Sequence, residues 1–80
     1  MQIQVLLFAS YADAFGTPAL QVTLPEDATV GDLLGCLRGL AAGAALPTTP
    51  LVAVNQRYAK SAQRISPHDE VAIIPPVAGG

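Results

Sequence analysis

The 80-residue sequence has one cysteine, one histidine, no tryptophan, and only four basic and six acidic side chains. The lone thiol, Cys36, excludes an intramolecular disulfide and a CxxC zinc or redox pair. With His68 as the single imidazole, the nitrogen and sulfur ligands of a transition-metal site are missing, so no metal is expected. The basic residues are Arg38, Arg57, Lys60 and Arg64, and the net charge is −2. That is too little positive charge to neutralise a nucleic-acid backbone or to hold an anionic membrane surface, so neither is expected as partner. No stretch approaches the ~20 apolar residues of a membrane span. The apolar run Val5-Leu6-Leu7-Phe8-Ala9 follows no Lys or Arg and is too short for the core of a signal peptide. A cytoplasmic location is the default expectation.

Apolar residues, by contrast, make up 51% of the chain. Disordered chains are poor in them, so a single compact core is expected. Gln2-Ile3-Gln4-Val5-Leu6-Leu7-Phe8 begins in polar/apolar alternation and turns apolar throughout, which predicts a strand that becomes central. Residues 10–15 form about one helical turn stopped by Gly16. Leu20-Gln21-Val22-Thr23-Leu24 alternates strictly and is closed by Pro25, a second strand returning antiparallel to the first. Thr29 is a good N-cap, with Asp32 placed to complete a capping box. Val30, Leu33, Leu34, Leu37, Leu40 and Ala41 then fall on one helical stripe. Gly31, Gly35, Gly39 and Gly43 recur on another flank, read as a tolerated solvent-facing or fraying side, with close approach to a partner as the alternative. Residues 40–47 read as an exit loop.

Leu51-Val52-Ala53-Val54-Asn55 is too apolar for an exposed edge. Asn55-Gln56 is a turn, Arg57-Tyr58-Ala59 a short return strand, and Val71-Ala72-Ile73-Ile74 a β-branched central strand stopped by Pro75-Pro76. The order is β, short α, β, α, β, β, β. It predicts an α+β fold, a mixed sheet packed against one main helix; if the last strand pairs beside the first, that pairing is parallel and the helix is the crossover. That is the order of a β-grasp, or ubiquitin-like, domain. The expected boundaries are a domain over residues 1–76 and a flexible Gly-Gly tail over residues 77–80.

No catalytic set of side chains stands out. Glu26-Asp27 and Asp69-Glu70 are adjacent pairs in turns, read as solvated, because neighbours in a loop cannot flank a substrate as acid and base. His68 has no evident nucleophile to activate and reads as an exposed loop residue. The helix start is acidic, which disfavours phosphate. Cys36 lies on the rim of the apolar stripe, where a lone cysteine acts as a small hydrophobe. The remaining feature is the end. After a strand and two prolines come Val77-Ala78-Gly79-Gly80, with no functional side chain. Two glycines can thread a channel too narrow for a Cβ. They deliver the α-carboxylate of Gly80, a poor electrophile until it is activated.

The closing Ile74-Pro75-Pro76-Val77-Ala78-Gly79-Gly80 resembles the end of molybdopterin synthase small subunits. Val52-Ala53-Val54-Asn55-Gln56, Asp69-Glu70-Val71-Ala72, the opening Val5-Leu6-Leu7-Phe8-Ala9 and the helix after Thr29-Val30 also fit that family of ubiquitin-like sulfur carriers. The resemblance implies that an ATP-dependent, ubiquitin-activating-type adenylyltransferase adenylates Gly80. A persulfide donor then leaves a thiocarboxylate, and the tail gives its sulfur to cyclic pyranopterin monophosphate inside the large synthase subunit. No cofactor is bound by this chain itself; ATP is used by the activating partner. The family assembles as a heterotetramer, so this chain is the non-catalytic, sulfur-donating half of an enzyme. Ile74, Pro75, Pro76 and Val77 are expected to form an apolar anchor for the partner, although alternation requires only one of Ile73 and Ile74 to face into the core and leaves open which. Arg57, Lys60 and Arg64 read first as solvated surface charges, with an acidic partner surface as the alternative. Many relatives carry aromatics where Ile73 and Ile74 stand. Two other readings share the tail logic: a carrier for thiazole synthesis or tRNA thiolation, and a protein modifier forming isopeptides through Gly80. A plain interaction module with an inert tail is a further one.

Overall fold

The computed structural model describes residues 1–40, 43, 46, 47 and 50–75. Its elements are β1 Gln2–Leu7, α1 Ala9–Phe15, β2 Ala19–Thr23, α2 Val30–Arg38, β3 Leu51–Val54, β4 Arg57–Tyr58 and β5 Val71–Ile74. The five strands form one sheet in the order β2-β1-β5-β3-β4. β1 pairs antiparallel with β2 (Ile3 opposite Val22) and parallel with β5 (Val5, Leu6 and Leu7 opposite Val71, Ala72 and Ile73). β3 pairs antiparallel with both β5 and β4. The expected mixed α+β sheet is therefore present, with β3 and β5 interior as their apolar content requires.

Strand alternation divides the sheet into two faces. Ile3, Val5 and Leu7 of β1, Val22 of β2, Val52 and Val54 of β3, and Val71 and Ile73 of β5 are buried toward the helix side. They pack in one cluster with Val30, Leu33, Leu34 and Leu37 of α2. The described residues include no buried polar or charged side chain. Of the adjacent isoleucines, Ile73 is fully buried in this core, which leaves Ile74 to the opposite face.

α2 begins as its sequence specifies. Thr29 Oγ1 accepts from Asp32 N–H at 3.2 Å, and Asp32 Oδ2 accepts from Thr29 N–H at 3.0 Å. The next orphan donors are taken by the loop after β4: Val30 N–H donates to Gln63 O and Gly31 N–H to Ser61 O, both at 2.9 Å. Ile65 locks the same loop, its side chain buried and its N–H on Ala28 O. The helix end differs from expectation. Gly39 N–H shares the carbonyls of Gly35 and Cys36, and Leu40 N–H reaches only to Leu37 O. This tightening to i→i+3 bonds takes Leu40 off the stripe, and it is exposed. Leu46, within the expected exit loop, is buried in the core; Ala41 lies outside the described residues.

The glycine flank is not one surface. Gly31 packs on Ser61, whereas Gly35 has nothing within 4 Å of where a Cβ would stand. Gly43 is buried, with Arg38 O only 2.5 Å from that point, so the chain turns back onto the helix end through a gap too tight for a side chain. A close backbone approach does occur on this flank, and it lies within the chain.

The β3–β4 hairpin turns through Asn55 (φ 53°) and Gln56 (φ 69°), both left-handed, as a two-residue type I′ loop requires. Three substitutions test these local readings by thermal or urea unfolding. Gly35→Ala is expected to stabilise by about 1 kcal/mol. Gly43→Ala is expected to destabilise by about 1–3 kcal/mol, since backbone must move to admit the methyl. Gln56→Gly is expected to stabilise by about 1 kcal/mol by relieving the left-handed side chain.

Candidate functional site

The last described residues place the origin of the C-terminal segment. Ile74 ends β5 opposite Leu51 of β3, one residue beyond the Leu7–Ile73 pair with β1. Ile74 and Pro75 are half-buried. Pro76, Val77, Gly79 and Gly80, and with them the expected boundary between domain and tail, lie outside the described residues. The chain thus leaves from the centre of the sheet, flanked on both sides.

Around that point the face away from α2 is apolar. β1 alternation puts Gln2, Gln4 and Leu6 outward, and Phe8, in extended conformation just after the strand, follows in the same phase. Phe8 is 48% exposed, Leu51 42% and Tyr58 74%. Ala53 and Ala72 are buried yet stand outside the main core, because they form the floor of this second face. Phe8, Tyr58, Ala53 and Ala72, with Gln56, Glu70 and Ile74, line a shallow depression of about 440 Å³. Large aromatics this exposed beside small floor residues are a mark of an interaction surface. The signal was present in the sequence: an apolar Leu6 and Phe8 occupy the polar phase of the first strand, and Tyr58 is the outward residue of a two-residue strand.

A polar clasp sets the start of β5. Asn55 Nδ2 donates to Asp69 Oδ1 at 2.9 Å, and Glu70 N–H donates to Asn55 Oδ1 at 2.9 Å. Asn55 N–H donates to Glu70 O at 2.8 Å, and Ser66 N–H to Asp69 Oδ2 at 2.8 Å. Asp69 is therefore half-buried and bonded on both oxygens, not a merely solvated turn residue. The expectation for Asp69 fails because the β3–β4 turn, distant in sequence, brings Asn55 beside it. Glu26 and Asp27 are exposed as expected; Asp27 approaches Arg64 at 4.0 Å, an exposed pair that contributes little.

The expected partner-binding residues are not gathered in one place. Arg57 pairs with Val54, whose side chain enters the core, so it lies on the helix-side face of β4, at the end of the sheet away from Ile74. Lys60 lines a separate groove with Gly31, Leu34, Arg38, Pro50 and Leu51. His68 is exposed, and Cys36 is half-buried against the core. Among the described residues no group of three His, Cys, Asp or Glu could hold a metal, and no helix is long and apolar enough to cross a membrane.

A five-stranded β-grasp sheet over one main helix, with its last central strand ending beside an exposed apolar face, defines a protein of the ubiquitin-like class. The family model of the ThiS family matches residues 5–80, and the chain belongs to that family. It is 38% identical over 85 residues to the molybdopterin synthase sulfur carrier subunit of Chlamydomonas reinhardtii, covering 100% of both chains. It is 35% identical over 83 residues to the same-named subunit of Dictyostelium discoideum, covering 99% of this chain and 96% of that one. Small archaeal modifier protein 1 of Haloferax volcanii superposes with a TM-score of 0.82 at 32% identity, over 100% of both chains.

The clasp and the apolar face separate in a stability measurement. Asp69→Ala is expected to cost about 1–2 kcal/mol by removing two hydrogen bonds and leaving their donors unpaired. Tyr58→Ala, at an exposed position, is expected to change unfolding free energy by no more than about 0.5 kcal/mol. Chemical denaturation of the two variants beside the parent checks both.

Proposed function

We propose that this chain is the sulfur carrier subunit of molybdopterin synthase and that its working atom is the α-carboxylate carbon of Gly80. The observation that carries the reading is the family match, which runs through Gly80. The relatives' shared name, at 35% and 38% identity over the whole length, supports the acceptor pathway.

The chemistry follows from the carboxylate. Ionised, it repels nucleophiles. An adenylyltransferase of the ubiquitin-activating type transfers AMP from ATP to the Gly80 oxygen, with pyrophosphate leaving, and creates an acyl adenylate. A persulfide donor then attacks the acyl carbon through its outer sulfur and AMP departs, leaving an acyl disulfide; a second thiol cleaves that S–S bond, so that the thiocarboxylate is released as the two thiol sulfurs are oxidised to a disulfide. The tail then enters the large synthase subunit, where sulfur passes to cyclic pyranopterin monophosphate in building the dithiolene. Gly79 and Gly80 let the end pass where a Cβ would not. Ile74, Pro75, Pro76 and Val77 dock it, with Phe8 and Tyr58 of the adjoining face supplying aromatic anchors that the sequence reading did not single out. Lys60 and Arg57, on other surfaces of the body, serve a wider footprint of the partner. The assembly is a heterotetramer with the large subunit, in the cytoplasm.

A second reading, a protein modifier whose Gly80 ends as an isopeptide on a lysine, is favoured by the likeness to the archaeal modifier protein. The test is intact-mass spectrometry after incubation with the cognate adenylyltransferase, ATP, a persulfide donor and a thiol reductant. One oxygen replaced by one sulfur at Gly80 is the expected outcome. An unchanged mass, with the enzyme active on another carrier, contradicts the reading, and conjugate ladders on a denaturing gel move it to the modifier. Tyr58→Ala and Phe8→Ala are each expected to weaken binding to the large subunit by roughly tenfold or more, measured by calorimetry.

A further inference from the structure

Among the described residues that line the depression on the outer face, Glu70 is the single charged one. It lines the wall with Phe8, Tyr58 and Ile74 over a floor of Ala53 and Ala72. Among the described residues its carboxylate has no hydrogen bond or ion pair; the one ion pair there joins Arg64 to Asp27. None of the four basic side chains lines this depression. The backbone of Glu70 is held on both sides by Asn55, through Glu70 N–H to Asn55 Oδ1 and Asn55 N–H to Glu70 O. The carboxylate therefore projects from a fixed point beside exposed aromatic rings.

This composition restricts what can cover it. A purely apolar occupant would strip water from Glu70 and leave a buried charge without a partner, which is strongly unfavourable. A guanidinium meets each part of the site. Its fork matches a carboxylate bidentately, its plane stacks on an aromatic face, and it is more weakly hydrated than an ammonium. We propose that this depression receives an arginine side chain presented by the protein that accepts the C-terminal segment, with Glu70 as counter-ion and Tyr58 and Phe8 as the stacking walls. Glu70 thereby becomes a specificity residue: it admits partners that carry the arginine and penalises apolar surfaces that lack it. The inference rests on the reading of this face as the partner surface, but not on which sulfur acceptor is served.

Two measurements on the full chain decide it. In the first, isotope-labelled protein is titrated with a blocked peptide, Ala-Ala-Arg-Ala-Ala, and with counterparts carrying lysine or citrulline at the centre. Amide shifts at Ala53, Tyr58, Glu70 and Ala72 are expected to move with the arginine peptide, less with lysine and not with citrulline, and to vanish in Glu70→Gln. Equal shifts with citrulline, unchanged shifts in Glu70→Gln, or no shifts at this face overturn the proposal. In the second, Glu70→Gln is expected to weaken binding to the large synthase subunit by about tenfold and to flatten its salt dependence, with partial rescue by Glu70→Asp. Parent-like affinity and salt slope in Glu70→Gln overturn it. If the parent itself fails to bind the large subunit, the synthase reading falls, and the peptide titration alone decides the arginine site.

Discussion

The parallel pairing of β1 with β5 is the constraint on which the rest of the structure depends. Parallel neighbours cannot be joined by a tight turn, so the chain between them must carry a crossover. Here the intervening chain holds α1, β2, the crossover helix α2 and the β3–β4 hairpin, and it closes with Val5, Leu6 and Leu7 against Val71, Ala72 and Ile73. The final strand is thereby forced into the middle of the sheet, with β3 as its other neighbour. A terminal strand at an edge could peel away under load. One paired on both sides gives the residues after Pro75 a fixed origin.

The same pairing produces two faces with different jobs. The helix side is filled by branched aliphatic side chains, and Ile3, Leu33, Leu37 and Ile73 among them are fully buried. That core consumes the strand residues of one phase. Both described helices pack on the core side, through Tyr11 of α1 and Val30, Leu33, Leu34 and Leu37 of α2, and the apolar members of the other phase at the β5 exit, Phe8, Leu51, Tyr58 and Ile74, stay accessible. A body packed on one side and apolar on the other suits the proposed role, in which the reaction takes place in a partner. The Asn55–Asp69–Glu70 clasp connects the two roles, since it fixes both the start of β5 and the root of the single carboxylate in the depression.

Much of this was legible in the sequence, wherever a local pattern carried the information. Alternation located β1 and β2, Thr29 and Asp32 marked the start of α2, and the apolar content of Leu51-Val52-Ala53-Val54 and Val71-Ala72-Ile73-Ile74 placed both strands inside the sheet. The tail motif and the family likeness were likewise local. What escaped depended on residues distant in sequence. Asp69 looked solvated because its partner, Asn55, stands 14 positions away. Leu40 looked like core because periodicity does not register the tightening after Gly39. Leu46 looked like loop because only the return over Gly43 buries it. For the site, β5 alternation left open which isoleucine faces in; the register against Leu7 and Leu51 decides for Ile73. Arg57 and Lys60 were grouped by charge, whereas the strand register puts Arg57 on the helix-side face and Lys60 lines a separate groove.

The central claim is that the body only presents Gly80 and that the sulfur leaves from there. Its most direct test is a single turnover of thiocarboxylated chain with the large synthase subunit and cyclic pyranopterin monophosphate, followed by intact mass. The account predicts that the sulfur at Gly80 is exchanged back to oxygen in step with consumption of the pterin. Retention of the sulfur while pterin is converted, or appearance of the chain in isopeptide linkage, would contradict it.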